Sequence, residues 1–332
     1  MYREPCCWWP IGHLRGWVHP DTGFGSKTTW GDVLADCESH KFRNKCVVIT
    51  GATAGIGRET LNAFAQMGAT IIIGARDEDS ARAIACEVMG ETRAIVRVLE
   101  LDLSCLDSVH NFAAELLDLN IGIDVLINNA GIMPCEFDEE NSRDLMFHVN
   151  FLSHFALTQL LLQSGYFNDG ARVVNVSSAV YMFSYPGGVR FGAIDDAKGY
   201  DAVKSYGQSK LAQILWTNVQ NKILQRDGVD VAIFAVHPGS VNTTGSEAAR
   251  KASSGWRGAL LHCIGAPFTK SLSAGAATTV FAACHPRALE YLREEGFTFF
   301  ASCNPRRLSK TAADEALAQK LYDYAIARCE FD

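Results

Sequence analysis

The chain has 332 residues and a formal net charge of -7, from 30 Lys and Arg against 37 Asp and Glu. Hydrophobic residues make up 48% and charged residues 20%, which excludes wholesale disorder and suffices for one large domain or two small ones. The acidic balance, with no basic patch, argues against a partner made of nucleic acid or anionic lipid.

The first twenty residues contain Arg3, Glu4, Pro5, Pro10, His13 and Arg15 and no continuous apolar run, so they do not read as a secretory signal. No stretch reaches the roughly 18 uncharged apolar residues of a membrane-spanning helix. No transmembrane segment and a cytoplasmic location are expected. The 11 cysteines are scattered, and Cys46, Cys86, Cys263 and Cys284 sit inside apolar runs. None has the C-x2-C spacing of a zinc site, and their number is odd, so the reading is reduced, partly buried thiols in a reducing compartment. Cys6-Cys7-Trp8-Trp9 stands apart as a local contact or an acylation site.

From Lys45 onward strands and helices alternate. Cys46 to Thr50 is a β-branched run without polar relief, as in a strand covered on both faces. Arg58 to Met67 has helical spacing, Ala69 to Ala75 reads as a strand, and Asp77 to Met89 as a helix. Strand Thr92–Leu99, helix Ser104–Leu119 and strand Ile123–Asn128 repeat the pattern. Later come strand Ala171–Ser177, helix Ser205–Gln225, strand Val229–Val236, a last strand at Phe297–Phe300 and a closing helix at Ala312–Arg328. This predicts a doubly wound α/β domain of Rossmann type, a parallel sheet with helices on both faces. It spans residues 42–332, and residues 1–41 form an N-terminal extension outside the sheet. Residues 179–203 and 239–270 interrupt the alternation after strand carboxyl ends, where such sheets bind ligands, and are candidate substrate loops.

Gly51, Gly55 and Gly57 lie between the first strand and its helix, together with Thr53, Ala54 and Ile56. Glycines there let the backbone turn sharply and approach a phosphate at a helix N-terminus. No Lys-Ser/Thr pair follows, which argues against an NTP-hydrolysing loop. A dinucleotide site needs an acid at the end of the second strand to hold the ribose hydroxyls of NAD. This strand ends in Ala75 and Arg76, and a guanidinium suits the 2′-phosphate of NADP. Asp77, one residue later, leaves a carboxylate close enough to compete with that reading. Arg58 is either an electrostatic aid or a solvent-facing residue.

With these motifs the chain resembles the short-chain dehydrogenase/reductase family, in its retinol-dehydrogenase-like branch, from about Gly23 to the C-terminal helix. Thr50-Gly51-x3-Gly55-Ile56-Gly57 is similar to its cofactor loop, Asp102-Leu103 to its adenine contact, and Asn128-Asn129-Ala130-Gly131 to its cofactor-lining motif. Pro238-Gly239-Ser240-Val241-x-Thr243 resembles the segment at the nicotinamide end. The resemblance implies catalytic roles for Asn150, Ser178, Tyr206 and Lys210 and an NADP(H) cofactor, which Tyr206 and Lys210 also contact. Asn150 would anchor a water linking Lys210 to bulk solvent.

Carbonyl–alcohol interconversion needs those groups on chemical grounds as well. A phenol can exchange a proton with the substrate oxygen, but its reference pKa near 10 suits neutral pH poorly. A lysine one helical turn away shares its face and favours the phenolate, as the spacing of Tyr206 and Lys210 allows. Ser178 can hold and polarise the oxygen. Tyr200 and Lys204 repeat the spacing, but in a polar run after Gly199 that reads as a loop or a helix start. Ser178 and Tyr206 are 28 residues apart, longer than the family's usual gap, and the insertion holds Met182, Phe183, Tyr185, Pro186 and Phe191, which either wall an apolar pocket or bury the loop itself.

His148 and His154 read as helix-surface or satisfied core residues, and no metal is expected. His237 is either a cofactor neighbour or a strand end. The expected function is an NADP(H)-dependent oxidoreductase acting on a lipophilic retinoid-, steroid- or quinone-like molecule. The alternatives are a catalytically silent NADP-binding regulatory protein or a nucleotide-sugar epimerase or dehydratase. A homo-oligomer is compatible with all three.

Overall fold

Every side chain of Cys46–Thr50 is buried, so this run forms a central strand, β1, shielded on both faces. The computed structural model describes residues 22–37, 42–241 and 270–329. The other strands are β2 (Thr70–Ala75), β3 (Ile95–Glu100), β4 (Ile123–Asn128), β5 (Phe167–Val176), β6 (Val231–His237), β7 (Phe299–Ala301) and β8 (Asn304–Pro305). They lie in the order β3-β2-β1-β4-β5-β6-β7-β8. All neighbours pair in parallel except β8, which turns back on β7. β1 touches β2 on one side and β4 on the other, so the chain reverses its direction of travel there and opens a crevice at the strand carboxyl ends.

Helices cover both faces. On one lie α1 (Trp30–Asp36), α2 (Gly55–Gln66), α3 (Glu78–Glu91), α7 (Leu272–Cys284) and α8 (Pro286–Glu295), sharing a core with Phe64, Phe234, Phe281 and Phe300. On the other lie α4 (Leu106–Asp118), α5 (Leu145–Gln163), α6 (Ala202–Asp227) and α9 (Glu315–Cys329), around Phe112, Phe151, Phe155 and Trp216. The expected doubly wound α/β architecture is the one observed.

Helices α5, α7 and α8 are not marked by the strand–helix alternation. In α7 nearly every residue is buried, so no polar stripe gives it away. α5 is long and apolar enough to cross a membrane by composition, but 78% of it is buried within the protein, which makes it a core helix. A π turn at His148–Leu152 interrupts it. Boundaries elsewhere move with hydrogen bonding. α6 starts at Ala202 because the Asp201 carboxylate accepts from the N–H groups of Val203 and Lys204. β5 starts at Phe167, four residues early, through a shift of register against β4.

Residues 22–37 add no strand to the sheet. Phe24 packs edge-on against Phe281 at 5.9 Å, Thr22 Oγ1 donates to Asn304 Oδ1 at 2.6 Å, and Trp30 Nε1 donates to Glu59 at 2.6 Å. Cys6-Cys7-Trp8-Trp9 and residues 242–269 of the second candidate loop lie outside the described residues.

Trp216 is fully buried, with ring centroids 5.4 Å from Phe155 and 6.2 Å from Phe151. Replacing it with Ala leaves a cavity that this two-helix contact cannot close. Trp216→Ala is expected to lower the urea unfolding free energy by about 3–5 kcal/mol, read as a fall in midpoint at constant m-value.

Candidate active site

At the end of β1 the chain turns through Gly51, whose φ of +67° suits glycine. A Cβ there would meet the Ala130 backbone at 2.8 Å, and one on Gly57 would meet the Gly51 carbonyl at 2.1 Å. The loop, α2 and the end of β4 therefore approach more closely than side chains permit. Ala54, the N-cap of α2, makes no side-chain cap, whereas α1, α3, α6 and α7 are capped by Thr29, Asp77, Asp201 and Ser271. Uncapped N–H groups, a helix dipole and a glycine cradle together fit the diphosphate of a dinucleotide. Thr53 is half-buried and Ala54 exposed beside them. Ile56 and Val241 both lie against Gly275 of α7, which brings this loop and the one after β6 to the same helix.

The Thr50 hydroxyl welds the crevice together. It accepts from the N–H groups of Asn129 and Ala130, each at 3.0 Å, and lies 2.9 Å from His154 Nε2. Asn129 Nδ2 returns hydrogen bonds to the carbonyls of Thr50 and Gly51. Burial pushes His154 down to about 4, so the ring is neutral, and its Nδ1 donates to the Asn150 carbonyl at 3.2 Å. That leaves Nε2 to accept from Thr50. Sequence reasoning missed Thr50 as a functional residue, although it opens the glycine motif. His154 is the satisfied core histidine of the two; His148 is half-buried, and its buried Nε2 has no hydrogen-bond partner among the described residues.

At the end of β2, Arg76 is exposed and forms no ion pair among the described residues. Asp77 accepts from Ser80 N at 3.1 Å and Ser80 Oγ at 2.6 Å, which caps α3 and holds its carboxyl below the usual range. Arg58 is half-buried and pairs with Glu87 at 2.8 Å. Asp102 is partly buried, which raises its pKa, but hydrogen bonds from Ser104 and the Arg76 charge bring the net below normal. Leu103 is buried, and its carbonyl accepts from Ser153 Oγ at 2.7 Å.

The other predicted side chains converge beyond β4 and β5. Lys210 Nζ donates to the Val176 carbonyl at 2.8 Å and lies 5.7 Å from the Tyr206 ring centroid. Burial brings Lys210 down to about 7 and pushes the Tyr206 phenol up to about 12, while the Ser178 hydroxyl pulls Tyr206 the other way. Asn150 sits in the π turn, and its amide clamps the backbone of Ile132 through N–H···Oδ1 at 2.8 Å and Nδ2···O at 3.1 Å. Its second amide hydrogen goes to Ser209 Oγ, which donates in turn to the Tyr206 carbonyl. Gly131 lies against both Asn150 and Lys210. Ser177, Ser209 and Gln213 support this group without having been foreseen: Ser177 Oγ holds the Lys210 carbonyl at 2.7 Å, and Gln213 Nε2 the Asn150 carbonyl at 2.7 Å. A phenol, a hydroxyl and a buried amine so arranged can bind a carbonyl oxygen and pass it a proton.

The sequence and fold have known counterparts. The short chain dehydrogenase family matches residues 45–254. Short-chain dehydrogenase TIC 32 A, chloroplastic, of Brassica napus is 35% identical over 318 residues, 93% of this chain and 95% of that one. Retinol dehydrogenase 12 of Mus musculus is 39% identical over 241 residues, 72% of this chain and 73% of that one. A crystal structure from Mycobacterium Paratuberculosis superposes with a TM-score of 0.69 at 30% identity, over 90% of this chain and 97% of that one.

The chain belongs to the short chain dehydrogenase family. It is an oxidoreductase of that family, with retinol dehydrogenases among its relatives, and the fold implies a nicotinamide cofactor. The Brassica relative is chloroplastic by name, in contrast to the cytoplasmic location expected from the N-terminus.

Several features give this family member its own character. Tyr200, the competing tyrosine, donates to the Cys135 carbonyl at 2.9 Å, and Lys204 points at the Tyr185 ring. In the insertion, Tyr185 is buried and bonded to the Asp201 backbone, and Arg190 gathers the carbonyls of Ala193, Asp196 and Lys198. Phe191 packs on Tyr324. That leaves Met182 and Phe183, 44% and 54% exposed, as the large apolar side chains beside Ser178. After β6, His237 Nδ1 accepts from the N–H groups of Ala179 and Gly239, so it ties the Ser178 turn to the Pro238-Gly239 turn. Lys270, not foreseen, lays its aliphatic stem on Gly239 and donates to Ser302 Oγ at 3.1 Å. Thr243 lies outside the described residues.

The lowered Lys210 value has a stability consequence. Its folded-state pKa of about 7 lies below the reference of 10.5, so the unfolded chain holds a proton that the folded chain releases between those limits. Stability therefore rises with pH across that window, and the burial penalty is full below about 7. Lys210→Met in the cofactor-free protein is expected to raise Tm by several degrees at pH 6 and by less at pH 9, measured by calorimetry.

Proposed function

We propose that this protein is an NADP(H)-dependent oxidoreductase that interconverts an alcohol and a carbonyl on a lipophilic small molecule. The observation that carries the reading is the Tyr206 phenol beside Ser178, with the buried Lys210 amine one helical turn on and Asn150 bracing both elements. A bound nicotinamide supplies or accepts the hydride. Ser178 donates a hydrogen bond to the substrate oxygen and polarises the carbonyl. Tyr206, kept protonated by burial, delivers the proton to that oxygen in reduction and recovers it in oxidation. Lys210, when protonated, favours the transient phenolate and can bond the cofactor ribose. Asn150 is a positioning residue: its amide fixes Ile132 and Ser209, and one amide lone pair remains for the water of a proton path.

NADP is favoured over NAD because Asp77, the first carboxylate after β2, is occupied in capping α3, while Arg76 beside it is exposed and forms no ion pair among the described residues, which leaves it available to a 2′-phosphate. Met182 and Phe183, with Met133 at 36% exposure after the Gly131-Ile132 clamp, support an apolar substrate. The reading is tested by steady-state oxidation of NADPH and of NADH with apolar aldehydes and ketones near pH 6.5. Turnover with NADPH well above NADH supports it, and silence with a tight NADPH-binding titration removes the catalytic claim.

Tyr206→Phe is expected to lower kcat by about 10²–10⁴-fold while the Kd for NADPH stays within about twofold. Retained turnover places the proton donor elsewhere. Arg76→Ala is expected to raise the Kd of NADPH by about 10–100-fold and leave that of NADH nearly unchanged. Equal weakening of both removes the 2′-phosphate role.

A further inference from the structure

A second cluster of reactive groups lies away from Tyr206. Cys37 closes the C-terminal end of α1, Cys284 is the last residue of α7, and they are 247 positions apart in sequence. Packing of α1 across α7 brings their sulfurs to 3.8 Å. A hydrogen bond between the next residues along, Asp36 and His285, at 3.2 Å holds the two helix ends in register. No other described cysteines make a sulfur–sulfur contact; Cys86, despite its apolar run, is exposed and alone, as is Cys105.

The third member is Arg172 of β5, only 9% exposed. Its guanidinium donates to the carbonyls of Ala282 at 3.1 Å and His285 at 2.9 Å and forms no ion pair with a carboxylate among the described residues. A buried cation so placed favours the thiolate of both neighbouring cysteines. The two sulfurs differ. Cys37 is half-buried, and its hydrogen bond with Cys284 and the Arg172 charge lower its pKa; Cys284 is buried, and the same hydrogen bond and burial raise its own. Cys37, the more exposed sulfur, is placed to react first and the buried Cys284 to resolve it. Cys37 is reached through its own partial exposure, and Cys284 lines an open cavity of about 500 Å³ together with Arg172, Asp124, Asp169 and Arg293.

We propose that Cys37 and Cys284 form a redox-modification site, a reversible intrachain disulfide produced by hydrogen peroxide, which ties the N-terminal helix to α7. The Cys37 thiolate attacks one peroxide oxygen, the O–O bond breaks, and hydroxide leaves and takes up a proton as water. Cys37 is then a sulfenic acid. Cys284 gives up its proton and attacks that sulfur; the S–O bond breaks and a second water leaves. Two thiols supply two electrons to one peroxide, and a dithiol reverses the change. The sulfurs must close by about 2 Å to reach bonding distance, a displacement that the exposed end of the short α1 can supply. The bond closes a loop across most of the chain, which restricts the unfolded state and stabilises the folded one.

The test treats the full chain with equimolar hydrogen peroxide, alkylates the remaining thiols and maps peptides without reduction. The expected result is a mass loss of two hydrogen atoms and a linked Cys37–Cys284 peptide, absent in Cys37→Ser and in Cys284→Ser and reversed by dithiothreitol. Oxidation is expected to raise Tm by about 5–10 °C in the wild type and not in either variant. Recovery of both cysteines as alkylated thiols while Cys86 and Cys105 are oxidised overturns the proposal. So does Cys37 oxidised to sulfinic acid with no linked peptide, or a linked peptide with no rise in Tm. None of these readings requires turnover, so the proposal stands or falls apart from the function assigned to Tyr206.

Discussion

The Thr50 hydroxyl, at the point where the strand order reverses, is the contact on which the site depends. The ladder between β1 and β4 stops at Ile49 and Ile127, yet the chain beyond it must stay fixed where the crevice opens. One buried oxygen supplies that restraint by accepting two backbone N–H groups from the end of β4 and donating to a neutral histidine of α5. Both its lone pairs and its proton are in use, so the loss of any partner leaves a buried polar group unpaired.

From His154 the restraint continues to the Asn150 carbonyl, and from the Asn150 amide to Ile132 and to Ser209 on α6. A regular helix would carry its carbonyls in the α pattern through this stretch; the π turn at His148–Leu152 breaks that pattern where Asn150 must face the strand end. The glycine loop and the Tyr206 helix are thereby linked through buried hydrogen bonds rather than through surface loops. Such a frame has little freedom to relax, which suits proton transfer over short distances.

Stability and chemistry oppose each other at Lys210. Its amine sits where desolvation favours the neutral form and where the carbonyl of Val176 is its hydrogen-bond acceptor. The strand-end carbonyl orients the amine without cancelling its charge, as a carboxylate would. In the middle of β5, Arg172 shows the same economy, with backbone carbonyls in place of an acid. Neither side chain spends its charge on a carboxylate among the described residues.

Strand and helix order, the glycine loop, Arg76 at the end of β2 and the pairing of Tyr206 with Lys210 were legible in the sequence, because each is local: a period of apolar residues, a motif between two elements, or a spacing of one helical turn. The choice between Tyr206 and Tyr200 was legible only through the helix that follows. Buried elements without a polar face were not. α7 has no stripe to betray it, and α5 carries its key residue in a turn that no spacing rule marks. Tertiary packing alone decided that Asp77 caps α3 while Arg76 forms no ion pair among the described residues, that Tyr185 and Phe191 bury the insertion while Met182 and Phe183 face outward, and that cysteines 247 residues apart meet. Those outcomes depend on which partner reaches a group first in three dimensions, and sequence separation carries no record of that.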